Sequence, residues 1–239
     1  RGATFYDTVG YAGSNKAPNA TYLKEGQPVK KEPLGLPTVN EELTKWAKPE
    51  NGGYTYEKET YILLNEDRMN IRLIGEERQT DISFPKSGVI YVKGDIYISG
   101  VLDGRLTIIS DGNIYICAKD PTATFSTQSA FNNAHNYQGV TYKNQNIPTY
   151  DKRNIPNISD DMLGLVTDKD IIILNRSYDW PRATGDRWWG NINTTVKNIK
   201  IQAALYCNSV TVQDLDYISD KNYGQIKYLG SRVIKEDAA

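Results

Sequence analysis

The sequence predicts an all-β fold, a short right-handed β-solenoid, and an internal repeat is the first observation behind this prediction. Two G-[DN]-I-Y-I blocks, at residues 94–98 and 112–116, lie 18 residues apart, and Ile90 and Ile108 keep the same offset. A strand-turn-strand unit that returns to the same residue types is typical of a solenoid, because each coil stacks like positions on its neighbour. A hairpin meander gives the same alternation of residues, and a sandwich is the other alternative, so both stay open.

Alternation within the blocks is the second observation. Isoleucine alternates with tyrosine, so a period of two places the isoleucines on one face of the strand and the tyrosines on the other. We expect one face in the core, formed by Ile96, Ile98, Ile114 and Ile116, and the tyrosine face in solvent.

Weaker echoes of the repeat follow along the chain. The first, at residues 165–174, aligns residues 170–173 with residues 113–116, and others run over 199–212 and 225–234. The apolar residues of the last echo are Ile226, Tyr228 and Val233. Roughly four or five coils are predicted, and burial stabilises them only when neighbouring coils stack.

The regions before the repeat are expected to close its first coil. Residues 1–87 read as an irregular lead-in with a helix and hairpin cap, and residues 88–239 as the solenoid, in one structural domain overall. Thr38 and Glu41 form a capping box before an apolar helical face. That face comprises Val39, Leu43, Trp46 and Ala47. Two β-rich runs, 59–64 and 69–74, predict a hairpin.

Composition limits the function classes. The 28 Lys and Arg balance 29 Asp and Glu, so no field would gather nucleic acid or an anionic membrane. No stretch is long and apolar enough to span a bilayer, and we expect a trimmed portion of a longer protein. With a single histidine, His135, a zinc site is not expected, and no cofactor is predicted. Cys117 and Cys207 are either packed in the core or joined by a disulfide.

Several segments carry a resemblance to a known family. They read LGLPTVNEELTKWA, VIYVKGDIYISGVLDGRLTIISDGNIYI, DMLGLVTDKDIII, IKIQAALYCNSVTV and GQIKYLGSRVI. In kind and order the chain resembles the β-solenoid domain of prepilin-like, type IV pilus-associated surface proteins of bacteria, and more weakly the cellulose-binding tāpirin adhesins. The resemblance implies an extracellular or cell-surface location, pilus or envelope proteins as partners, and a pilin-type hydrophobic segment in the full-length protein that this sequence lacks. It implies no catalytic residues.

Two polar stretches, at about 119–163 and 175–198, are expected to be insertions that build the functional surface. The second has aromatic residues that no periodicity places in a core, and aromatic rings stack on sugar faces. Its candidate ligand-binding residues are Tyr178, Trp180, Arg187, Trp188 and Trp189, with Asp179 and Asn191 as hydrogen-bonding neighbours. The ligand would be insoluble polysaccharide. The alternative is that these rings pin the insertion to the solenoid wall.

Carboxylates suggest a second function class, a calcium-dependent polysaccharide lyase or a two-carboxylate hydrolase. The candidate pairs are Asp160 with Asp161 and Asp168 with Asp170. Asp at the start of a coil is also ordinary turn chemistry. We therefore expect a non-catalytic, pilus-associated surface module, adhesive or structural, in preference to an enzyme.

Overall fold

The chain divides into two compact units, Arg1–Thr38 and Val39–Ala239. The computed structural model describes residues 4–5, 10–11, 21–22, 29–30, 41–124, 130, 133–143, 160–174, 198–212 and 226–234. In the first unit four short strands form two parallel pairs. They are β1 (Thr4–Phe5) with β3 (Thr21–Tyr22), and β2 (Gly10–Tyr11) with β4 (Val29–Lys30). The described part of the predicted irregular lead-in is thus extended and paired.

The second unit is dominated by strands. Among the described residues, its helices with stated bounds are α1 (Glu41–Trp46) and a 3-10 helix, Pro49–Asn51, and Ala130 and Asn133 are also helical. The strands up to the end of the repeat are β5 (Tyr54–Tyr56), β6 (Thr60–Glu66), β7 (Arg68–Leu73), β8 (Thr80–Ser83), β9 (Val89–Val92), β10 (Ile96–Leu102), β11 (Arg105–Ser110) and β12 (Ile114–Ile116). Those that follow are β13 (Gly139–Tyr142), β14 (Met162–Thr167), β15 (Ile171–Ile173), β16 (Lys200–Gln202), β17 (Ala204–Cys207), β18 (Val210–Val212), β19 (Lys227–Leu229) and β20 (Arg232–Ile234). The described residues therefore form an all-β fold, and no described helix is long and apolar enough to cross a membrane.

Two sheets hold the described strands of this unit. The six-stranded sheet has the order β20-β17-β14-β11-β9-β5. The ten-stranded sheet has the order β18-β15-β12-β10-β13-β16-β19, with β6, β7 and β8 attached beside β10. All described pairings between these strands are parallel except those of β7 with β6 and β8. Parallel neighbours cannot be joined by a tight hairpin. The chain crosses between the two sheets at every step except within β6–β8 and from β12 to β13, β15 to β16 and β18 to β19, which stay in the ten-stranded sheet.

The register confirms the repeat that the sequence predicts. Ile96 lies opposite Ile114 on β10 and β12, and Ile90 lies opposite Ile108 on β9 and β11. The first echo is confirmed as well, because residues 114–116 pair with residues 171–173 in the predicted alignment. A hairpin meander would pair these strands antiparallel, so that alternative is wrong for this part of the chain.

The core contains the inward isoleucines and their equivalents on the next strands. Its fully or nearly fully buried members include Ile62, Ile90, Ile96, Ile98, Ile108, Ile114, Ile116, Leu165, Ile171, Ile201 and Leu205. Burying each such side chain stabilises the fold by roughly 1.5–3 kcal/mol. The last echo is only partly correct, because Ile226 and Val233 are exposed while Tyr228 and Ile234 pack against the core.

The predicted hairpin is confirmed, since β6 and β7 pair antiparallel and β6 also pairs with β10. The helix is confirmed over its described residues, whereas the capping residue Thr38 lies outside them. Leu43 and Ala47 pack over the outer face of the six-stranded sheet. Trp46 does not belong to this face and is 48% exposed. The contact is made by one side of a six-residue helix, which leaves Trp46 in solvent.

Candidate functional site

Three excursions bounded by described residues leave the ten-stranded sheet at equivalent positions. The first half of β10 pairs with β12 and its second half pairs with β13. Strand β10 is therefore continuous, whereas residues 117–138 separate the two strands that pair with it on this side. The same break recurs between β15 and β16, over 174–199, and between β18 and β19, over 213–226. We call these the first, second and third excursions. Their starting points lie on neighbouring strands, about 5 Å apart, and we call this edge the exit corner.

These bounds correct the predicted insertions. The first insertion, placed at 119–163, is interrupted by β13, which returns to the sheet with Val140 fully buried, and β14 begins within its last residues. Strand β13 has only four residues, too few for the sequence pattern to distinguish it from a polar loop. The sequence does not predict the third excursion, because the echoes at 199–212 and 225–234 on its two sides are weak.

Tyrosines line the outer face of the ten-stranded sheet beside the exit corner. The rings of Tyr97 and Tyr115 stack at 4.5 Å between centroids and 9° between planes, and Tyr61 follows at 5.2 Å. The prediction that this face meets solvent is wrong for Tyr97, which is 8% exposed, whereas Tyr115 is half-buried; the neighbouring Tyr61 is fully buried. They pack in a cluster with Cys117 and Leu174, the first residues of two excursions. This burial raises the pKa of Tyr97.

The candidate carboxylates are dispersed. Asp161 is buried, and its Oδ1 accepts a hydrogen bond from the Gly104 amide at 2.6 Å. Asp160 is exposed beside it, while Asp168 and Asp170 lie in the turn after β14. The two candidate pairs therefore lie at opposite ends of β14, about 20 Å apart, so the four carboxylates do not form one site.

Asp170 belongs to a polar ladder along the turns that join the two sheets, which we call the corner ladder. The backbone amide of Asn113 donates to Asp95 Oδ1 at 2.7 Å, and the backbone amide of Asp170 donates to the side-chain Oδ1 of Asn113 at 3.2 Å. Asp170 Oδ1 in turn accepts from Ser209 Oγ at 2.7 Å and Asn208 Nδ2 at 3.2 Å. Each turn is thus hydrogen-bonded to the next, and the turn-chemistry interpretation accounts for Asp170.

The remaining candidates have varied surroundings. His135 is exposed, and its ring meets the edge of Tyr137 at 4.5 Å. The candidate ligand-binding residues of the second excursion lie outside the described residues. They are Tyr178, Trp180, Arg187, Trp188 and Trp189, with Asp179 and Asn191. What the structure gives is the position of both ends of their segment, at Leu174 and Asn198.

The cysteines do not form the disulfide considered from the sequence. Both are free and buried, Cys117 among the tyrosines and Cys207 in the main core. The correction has a packing reason, because the two side chains belong to different apolar clusters. Burial raises the pKa of both thiols, that of Cys207 to about 11.

Sequence reasoning missed the contact that holds the first excursion, which Arg72 of β7 makes with residues some 50 positions later. No local pattern signals such a pairing. Over the residues that the structure describes, no group of three or more His, Cys, Asp or Glu side chains is placed to hold a metal. Comparison of the chain with protein-family models, curated proteins and solved structures found no match.

Proposed function

We propose that this chain is a non-catalytic module of the bacterial cell surface, associated with a type IV pilus or a similar envelope system. In this proposal the stack is a right-handed β-solenoid that serves as a scaffold for binding excursions. The observation that carries it is the exit corner, where three excursions begin on neighbouring parallel strands. Crossovers between parallel strands of one sheet are almost always right-handed, which supports the handedness.

In this proposal the packed strands are the scaffold and the excursions carry the binding residues. In-register strands with a continuous isoleucine core make a rigid body, and binding residues are commonly placed on loops that such a body positions. The described starting points of the excursions share one corner, and in this proposal that corner marks the binding side of the scaffold. The resemblance to pilus-associated proteins supports the location.

Location is tested by labelling. Antibodies against the chain should decorate intact cells of the source bacterium and should detect the protein in sheared pilus fractions. Detection only in the cytosolic fraction would reject the proposal. A separate assay for calcium-dependent release of unsaturated sugar from polygalacturonate should show none, and release that Asp168→Asn abolishes would reject the non-catalytic assignment.

A second candidate, an adhesin for insoluble polysaccharide, is favoured by where the second excursion starts. Leu174 is packed in the buried cluster that contains Tyr97, so the excursion with Trp180, Trp188 and Trp189 is anchored on packed aromatic rings. In this proposal the tryptophans of the excursion stack on the apolar faces of sugars.

Pull-down on cellulose and other insoluble glycans tests the adhesin. Binding should fall when Trp188 and Trp189 are both changed to Ala, and should persist in Trp46→Ala, which removes an exposed tryptophan from α1. Binding that survives the double change, or that falls equally in the control, would reject an aromatic platform in the second excursion.

A further inference from the structure

We propose that Arg72 is a positioning residue that fastens the base of the first excursion to the hairpin of β7 and β8. The hairpin then does more than close the end of the stack, because it also supports the exit corner. The consequence for ligand binding rests on the proposed function, but the attachment itself does not.

The guanidinium of Arg72 makes hydrogen bonds to both the hairpin and the first excursion. Although its side chain is cationic, Arg72 is only 2% exposed. Its Nε donates to the carbonyl of Thr122 at 2.8 Å and its Nη2 to that of Pro121 at 3.1 Å. Nη1 points to the carbonyl of Glu76 in the hairpin at 3.4 Å. One planar group therefore holds the hairpin and the excursion together.

The face of the guanidinium is also occupied. Its central carbon lies 4.2 Å from the ring centroid of Tyr61, in a cation–π arrangement. Burial lowers the pKa of Arg72, and the carboxylates of Asp120, Glu59 and Glu76 oppose that effect. These contacts fix the orientation of the fork, so its donors point at the excursion.

A second hairpin side chain reaches the same place. Thr122 Oγ1 donates to Asp120 Oδ1 at 2.6 Å and contacts Gln79 Oε1, while the Thr122 amide donates to the same Asp120 oxygen at 2.8 Å. Thr122 is 2% exposed. Two side chains from the hairpin thus converge on one residue of the excursion.

Charge alone does not explain this arrangement. Lysine would keep a cation near Tyr61, but its ammonium cannot reproduce two parallel donors in a plane. Without the fork, the buried carbonyls of Pro121 and Thr122 would lose their donors, which is costly in a dry site. A positioning role therefore predicts that Arg72→Lys fails to restore the native attachment.

Amide hydrogen exchange measured by NMR tests the proposal. In Arg72→Lys and Arg72→Met the Thr122 amide should exchange at least about tenfold faster, whereas the core amides of Ile96 and Ile114 should change less than about twofold. The control Arg68→Lys alters an exposed arginine of the same strand, which pairs with Asp81 inside the hairpin; it should leave Thr122 unchanged. Native exchange at Thr122 in Arg72→Lys, or equal acceleration of all three amides, would overturn the proposal.

If neither Arg72 variant folds, the exchange rate of the Thr122 amide in Gln79→Ala tests the attachment. Gln79 is exposed, so its truncation spares the core, and faster exchange at Thr122 alone supports the attachment. Unchanged exchange at Thr122 overturns it. Glycan pull-down on the same variants is read separately: loss of binding by the unmodified chain would reject the adhesin without affecting the exchange result.

Discussion

The corner ladder gives a quantitative prediction for Asp170. In Asp170→Ala the hydroxyl of Ser209 and the amide of Asn208 lose their common acceptor. Hydrogen bonds to a carboxylate contribute about 1.5–3 kcal/mol each when well buried. Asp170 is half-buried, so the lower end of that range applies to each bond. We expect a loss of about 2–3 kcal/mol in the free energy of unfolding, which corresponds to a decrease in Tm of roughly 5–10 °C for a domain of this size.

Urea denaturation followed by circular dichroism measures this loss, with Lys169→Ala as the matched control. Lys169 is exposed in the same turn, and it enters the ladder only through its backbone, whose amide donates to Thr167 and whose carbonyl accepts from Asn208. Truncating its side chain should change the free energy by less than about 0.5 kcal/mol. Equal effects of Asp170→Ala and Lys169→Ala would refute the assignment of Asp170 to a structural ladder.

Two further predictions concern the backbone and alkaline pH. Gly139→Ala should lower the free energy of unfolding by about 3 kcal/mol, because φ is 109° and an added methyl would lie 2.2 Å from the Lys200 carbonyl oxygen. The control Gly164→Ala should lower it less, because the nearest atom would be 3.3 Å from the added methyl. Urea denaturation measures both changes. Burial raises the pKa of Tyr56 and Tyr228 to about 12. The folded state therefore holds these protons more tightly than the unfolded state, and stability should fall as pH rises from about 10 to 12. A flat Tm across that range would contradict this.

The sequence carried the architecture where the repeat was strong. The 18-residue offset located Ile96 opposite Ile114, and the alignment of 170–173 on 113–116 held in the observed register. Stacked coils require like residues at like positions, so a repeat in sequence becomes a register in space. Near the end of the chain the alternation is weak, and Val233, an apolar residue of the last echo, is exposed.

The sequence could not show which distant residues cover the outer face of the ten-stranded sheet. Alternation placed Tyr97 correctly on the outer face, but not under Leu174 and Cys117, which arrive from distant parts of the chain. The hydrogen bonds of Arg72 to Pro121 and Thr122 could not be predicted for the same reason. For the proposed binding surface the sequence offers Trp188 and its neighbours as candidates, while the structure gives only the positions of Leu174 and Asn198, where the described chain ends on either side of them.

Disulfide trapping tests the stacked, in-register arrangement most directly. In a background with Cys117→Ala and Cys207→Ala, the pair Tyr115→Cys with Ile172→Cys places two thiols on adjacent strands at matching positions, within the span of a disulfide. Pairing Tyr115→Cys with Thr211→Cys instead skips one strand, a separation of about 10 Å that a disulfide cannot bridge. Mass spectrometry after mild oxidation should find the first bond formed and the second absent. A bond between 115 and 211, or none between 115 and 172, would contradict the stack.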